Sequence, residues 1–412
     1  MTAPKLLALS TLALACGAAV AQSSVTIYGI VDAGVTRVSG IKGGTTKQLS
    51  SGIMDGSRLG FRVNEDLGGG WRAIATLEHR LELDNGTGSN RPISGSQVPD
   101  RLSQASLLGL PGAFQPVVTA VAGNIGAGAG VNLGGTFWDR QIFAGLVTPF
   151  GAVIAGRQYT PAYEILATFD TMQTQSSLAA GQVASLPASV DIRLSNTVAY
   201  RAQLGGFSAS AMVGAGENSA TAGRFTGAMA QFKSGGFAVG AGWNSRDNER
   251  GQESLTNVVL GASAEFGVHK VSVMGATVKD NNPSGLSGIA ALVTPSVGPA
   301  NALLIQNAFI NGARQDGRLL HAGYRLNIGI HTIYTAYTQY DDKRPANADT
   351  RSFGAAYTYS LSKRTDLNFV VTRFDNSGLG QAAPGGAGYL GGVTATAGTD
   401  ATSVALGLRH RF

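Results

Sequence analysis

The chain has 412 residues, 58 of them Gly, with only 14% charged side chains and a mean hydropathy close to zero. Ordinary soluble domains carry about 7% Gly and about 25% charged residues, so apolar and polar residues are finely mixed here rather than sorted into core and surface. The net charge of +6 is too mild and too dispersed for a nucleic-acid binder, yet sufficient to bias a passage toward anions.

Residues 1–21 read as an export signal. Lys5 supplies the positive end, residues 6–15 the apolar stretch, and Ala19-Val20-Ala21 a small-residue cleavage site. The single cysteine, Cys16, lies inside this segment, and a lipidation site would require a Leu where Ala13 stands. The remaining chain, 22–412, is then cysteine-free, which excludes a disulfide framework, a thiol catalyst or a Cys-based zinc site. It contains no run of 18 apolar residues, so no transmembrane helix is expected. Its most apolar later stretches are broken by Pro111 and Pro116, and by Pro295 and Pro299.

From residue 25 onward, alternating segments of about ten residues recur, as in a transmembrane β-barrel. The first is 25–36. In 57–66, Leu59, Phe61 and Val63 oppose Arg58, Arg62 and Asn64; in 71–84, Trp71, Ala73, Ala75, Leu77, Leu81 and Leu83 oppose Arg72, Thr76, Glu78, Arg80, Glu82 and Asp84. A helix does not keep period-two sorting over fourteen residues. Further strands are expected at 138–149, 152–160, 194–204, 206–216, 224–233, 236–246, 254–266, 268–279, 317–328, 330–341, 350–361, 365–375 and 401–412, giving sixteen. Short glycine turns alternate with long loops rich in Gly, Ala, Ser and Asn at 85–137, 161–193, 280–316 and 376–400. Aromatic residues crowd the strand ends (Trp71, Phe150, Phe207, Phe237 and Phe266 among them), as an interfacial belt requires. In the last strand Val404, Leu406, Leu408, His410 and Phe412 share one face, and Arg409 and Arg411 the other; these two arginines are expected at the rim. A secreted β-sandwich also alternates, but would need a large dry core.

Several stretches resemble the general porins of Gram-negative bacteria, of the beta-proteobacterial type. These are Ser23-Ser24-Val25-Thr26-Ile27-Tyr28-Gly29-Ile30-Val31-Asp32-Ala33-Gly34, Ser57-Arg58-Leu59-Gly60-Phe61 with Glu65-Asp66-Leu67-Gly68-Gly69-Gly70, Arg140-Gln141, Gly156-Arg157-Gln158-Tyr159, Ser195-Asn196-Thr197-Val198-Ala199-Tyr200, and the terminal Arg411-Phe412. The resemblance spans residues 22–412. It implies a 16-stranded antiparallel barrel, a homotrimer in the outer membrane, a third long loop folded into the lumen, and a terminal Phe412 read by the barrel-assembly machinery. The loop 85–137 is longer than the family usually has. Covering the mouth, clasping a neighbouring subunit and having no fixed structure all stand open for it.

A pore works by electrostatics: basic side chains on the wall facing carboxylates on an infolded loop. By alternation Arg58, Arg62 and Arg80 point inward, since an arginine at the lipid midplane costs about 2–4 kcal/mol. The family resemblance singles out Arg58, Arg140 and Arg193, with Arg157 next. Glu164 and Asp170 are the acids at the start of the third loop, and Asp191 lies at its return. Arginine excess implies anion preference in a diffusion channel for ions and small hydrophilic solutes. The rivals are a substrate-specific channel, an adhesin and a barrel enzyme. For the last, His79, His269, His321, His331 and His410 lack a serine elbow or metal-binding spacing, and nothing calls for a cofactor.

Overall fold

In the computed structural model, residues 23–183, 191–216, 223–388 and 390–412 are described. The segment read as an export signal, with Cys16, lies outside them. The strands are β1 (Ser24–Ser39), β2 (Thr46–Ser51), β3 (Arg58–Gly68), β4 (Trp71–Arg80), β5 (Ile142–Thr148), β6 (Gly151–Tyr159), β7 (Arg193–Leu204), β8 (Phe207–Gly214) and β9 (Phe225–Ser234). They continue as β10 (Phe237–Asp247), β11 (Glu253–Phe266), β12 (His269–Asp280), β13 (Gln315–Ile328), β14 (His331–Asp342), β15 (Thr350–Ser360), β16 (Thr365–Asn376) and β17 (Ala401–Arg411). Neighbours in sequence pair antiparallel, β2 and β3 excepted, and β1 pairs with β17 to close the cylinder.

Seventeen segments make sixteen staves, because β2 and β3 share one. Thr46–Ser51 pairs with the upper half of β1 and Arg58–Gly68 with its lower half. Between them, residues 52–57 leave the wall and turn inward at Gly52, whose φ of 72° suits glycine. The seam is completed by Phe412, whose backbone N–H and carbonyl exchange bonds with Gly29, each 3.1 Å.

The two faces follow the alternation. Val239, Trp243, Leu260, Val271, Val273, Leu320, Leu406 and Leu408 are exposed on the outside, while Asn244, Asn257, Ser263, Ser272, Thr338, Ser352 and Ser403 point inward. Among the described residues no helix is long and apolar enough to cross a membrane, and a closed barrel crosses with its strands. Trp71, Phe150, Phe207, Phe237 and Phe266 flank the short turns, where interfacial aromatics belong.

The structure departs from expectation where side chains tie the ends. The strand expected over 71–84 stops at Arg80 and that over 138–149 begins at Ile142. Asp139 explains both limits: its carboxylate accepts from the Arg80 backbone N–H and guanidinium, each at 3.0 Å, and draws the chain off the wall.

The long loops are also more ordered than their composition suggests. They hold α1 (Gln115–Ala127), α2 (Pro161–Phe169), α3 (Ile289–Val297) and α4 (Pro299–Ala313). Pro116, Pro161 and Pro299 occupy first turns, where a missing N–H removes no helical bond.

Helix α2 lies on the inward faces of β9 to β12. Ala162, Ile165, Leu166 and Phe169 form its buried stripe, at the spacing of one helix face. The wall meets it with Gly240, Gly242 and Gly261; a Cβ at Gly240 would stand 3.0 Å from both Ile165 and Phe169. Asn244 completes the docking by accepting the Ala162 N–H at 3.1 Å and donating to Thr160 Oγ1 at 2.9 Å.

Gly261→Val is therefore expected to push Phe169 away from the wall while leaving the ladder of β11 intact. Single-channel recording should show smaller and noisier steps than those of the unaltered protein, because the helix is displaced into the lumen; unchanged steps would contradict this docking.

Candidate functional site

A cavity of about 1360 Å³ occupies the barrel interior. Among the described residues its lining includes Arg58, Arg72, Arg80, Arg140, Arg193 and Arg201 but two carboxylates, Asp55 and Glu164. The low-dielectric wall of a barrel concentrates such a charge excess into the passage.

Each arginine is held differently. Arg58 donates through Nε to the Gly56 carbonyl (2.9 Å) and through Nη2 to Asp55 (3.0 Å). Arg140 reaches the same turn, with its Nη1 beside Gly56, and its Nε is 3.6 Å from Glu78. Glu78 also accepts from Tyr28 (3.0 Å) and Gln141 (3.2 Å), so its charge is shared. Arg193 has an aromatic setting: its guanidinium lies 4.5 Å above the Tyr159 ring and Nη2 donates to the Tyr159 hydroxyl at 2.8 Å. Tyr159 in turn stacks on Tyr163 at 5.2 Å. Arg80 is locked between Asp139 (3.0 Å) and Glu82 (3.2 Å), which leaves it little net field.

Three expected residues sit elsewhere. Arg157 is absent from the cavity lining: at the irregularity between Gly156 and Gln158 its guanidinium rests on the Asp139 carbonyl and Ser195 Oγ. Arg62 stacks over Tyr28 at 4.7 Å, also away from the cavity. Asp170, 2% exposed, does not face the passage at all. Its carboxylate accepts the backbone N–H groups of Met172 (3.1 Å), Thr174 (2.8 Å) and Ala180 (3.1 Å), fixing the turn after α2. Next to it, Thr171 N–H donates to His321 Nε2 (3.1 Å), and His321 Nδ1 bonds Thr338 (2.8 Å).

The remaining loop acids are balanced. Glu164 faces the cavity but pairs with Arg201 at 2.6 Å. Burial pushes its carboxyl up, and Arg201 works against that rise. Asp191 pairs with Arg246 at 2.8 Å.

The candidate residues did not include Arg72, Arg201 and Asp55, which also line the cavity. The first two follow from parity, because Arg201 shares its face with Thr197 and Ala199, both buried on the inside. Asp55 had no such signal, since residues 52–57 are not a strand. Asp32 carries this segment: its fully buried carboxylate accepts N–H groups from Ile53 (2.9 Å), Met54 (2.9 Å) and Asp55 (2.7 Å).

Arg409 was expected at the rim and is instead 4% exposed inside the wall. It joins Asp55 (2.9 Å), Asp366 (3.1 Å) and Gln175 of the third loop (3.3 Å). Gln175 also donates to Asp55 at 2.8 Å, so the inturned segment and the third loop are mutually braced.

Among the described residues no group of His, Cys, Asp and Glu is arranged to hold a metal ion.

Comparison with known proteins gives the following. A family model described as Gram-negative porin matches residues 8–379. An outer membrane porin protein of Delftia acidovorans, protein 32, is 27% identical over 99% of both chains. One of Bordetella pertussis is 24% identical over the same shares. The solved anion-selective porin from Comamonas acidovorans superposes with a TM-score of 0.67 at 23% identity, covering 95% of this chain and 100% of that one.

Replacing Asp32 by Ala strands three buried N–H groups, each worth about 1–3 kcal/mol when left unsatisfied. The expected result is an earlier heat-induced change in electrophoretic mobility, with Asp32→Asn in between; an unshifted transition would show that the inturned segment is held by other contacts.

Proposed function

The chain belongs to the Gram-negative porin family, and from that premise we propose that it forms a water-filled outer-membrane channel for passive diffusion of ions and small hydrophilic solutes, with preference for anions. The observation that carries the sign is the lining itself: six arginines against two carboxylates. Three further acids, Glu78, Glu82 and Asp139, stand behind Arg140 and Arg80 and reduce the excess without reversing it.

Arg58, Arg140 and Arg193 are the residues that set this preference. Arg193 matters most per charge, because a tyrosine hydroxyl and ring hold it in place of a carboxylate. Arg80, held between two carboxylates, and Arg201, 2.6 Å from Glu164, carry less, whereas the Asp55 beside Arg58 is shared with Arg409. Arg62, Arg157 and Asp170 have structural parts: stacking, a strand irregularity and a loop turn. The relative from Comamonas acidovorans is named anion-selective, which agrees with the reading.

The rest of the assignment follows the family resemblance. Residues 1–21 direct export and are removed, Phe412 is recognised by the barrel-assembly machinery, and the barrel works as a homotrimer. The passage moves solutes without a chemical step, so the protein is a channel and not an enzyme.

Reversal potential across a planar bilayer under a KCl gradient tests the sign. Anion preference is expected; cation selectivity would overturn it. Arg58→Gln, Arg140→Gln and Arg193→Gln should each weaken the preference more than Arg351→Gln, whose parent side chain is exposed and absent from the cavity lining. Equal effects from all four would remove the cluster from its role.

A further inference from the structure

The loops 81–141 and 281–314 leave the barrel from opposite sides. The first joins the third and fourth staves and the second the eleventh and twelfth, eight staves apart in a ring of sixteen. They nevertheless meet. Val98, Leu102, Ala105, Val118 and Val121 of the first pack with Ile289, Val293, Ile305 and Phe309 of the second in one buried apolar cluster. Gly312 is in close contact with Leu102 and Leu108, where a Cβ would stand 2.9 Å from each side chain.

The span between these anchors is tied down along its length. Asp100 pairs with Lys42 at 3.1 Å and accepts the Ala397 N–H at 3.1 Å, while its own N–H donates to Gln381 at 2.6 Å. Ile93 and Ser94 donate to the carbonyls of Leu390 (3.0 Å) and Gly391 (3.3 Å). Pro92, Gln97 and residues 128–131 of the same loop line the cavity that holds the arginines. The loop is thus a roof over the passage, fastened on the far rim.

The two stretches that meet in the seam carry no charge with which to sort ions. Residues 102–138 and 281–313 contain no Asp, Glu, Lys, Arg or His. We infer that this bridged cap is a second filter, which sets the size limit for entering solutes while the arginines beneath set their charge. The inference rests on the channel reading of the previous section. It makes Phe309 and Val118, both fully buried in the seam, specificity-determining residues at a distance from the pore lining.

Liposome swelling with uncharged sugars of increasing length separates the two filters. Phe309→Asp places a carboxylate in the seam, and a second variant replaces residues 104–126 with a short Gly-Ser link. The unaltered protein should admit monosaccharides and exclude the longer sugars. Both variants should admit at least one longer sugar, with a several-fold faster rate, and keep the reversal potential of the unaltered protein. An unchanged size limit in either variant that retains its heat-modifiable barrel migration overturns the role of the cap. A wider limit accompanied by loss of ion preference overturns the separation of the filters. If the unaltered protein admits no sugar and carries no current, the channel reading itself fails.

Discussion

In the hydrocarbon layer an unpaired backbone N–H or C=O has no water to bond, at a cost of several kcal/mol per group. A sheet can lie there only if its first and last strands meet. Here that meeting is the ladder from Ile30–Arg411 to Ser39–Thr402, extended by the Gly29–Phe412 pair. Closure then fixes the rest. One face of every stave must be apolar at membrane depth, the other encloses water, and charge is left to the inside and to the strand ends, where Arg318, Arg351 and Arg373 lie on the outer face. The same closure provides the platform on which the third loop docks, because Gly240, Gly242 and Gly261 are held in line by ladders that need no side chains.

The interior is organised by buried carboxylates acting on backbone as much as on arginines. Asp32 and Asp170 each gather three N–H groups, and each thereby shapes a segment that enters the lumen. Charge-assisted bonds of this kind are worth about 1.5–3 kcal/mol apiece. Arg409 and Gln175 then link the two segments through Asp55. The arginine cluster stands on this frame: Arg58 and Arg140 converge on Gly56, at the edge of the segment that Asp32 holds.

The staves were legible in the sequence because period-two sorting is local: it needs only neighbours on one strand. Trp71 and Leu77 against Arg72 and Glu78 give both strand and face. Height along the barrel axis is not local. Strand pairing brings Asp32 level with Arg409, and Ile30 level with Arg58, residues with no sequence proximity. Arg409 was therefore misread as a rim residue. Asp170 was misread for a different reason: an acid in a polar loop gives no sign of whether it faces solvent or backbone. Arg157 fell to a strand irregularity that breaks parity. The helices of the long loops escaped notice because what holds them is not local: α1, α3 and α4 meet in an apolar seam between loops far apart in sequence, and α2 docks on the barrel wall.

The proposed channel requires an aqueous interior whose arginine-lined part carries a net positive fixed charge. Exchanging one ion at a time in single-channel recordings tests this most directly. Replacing chloride with a bulky anion should sharply reduce the current, whereas replacing potassium with a bulky cation should change it little. The reverse pattern, with current following the size of the cation, would contradict the account.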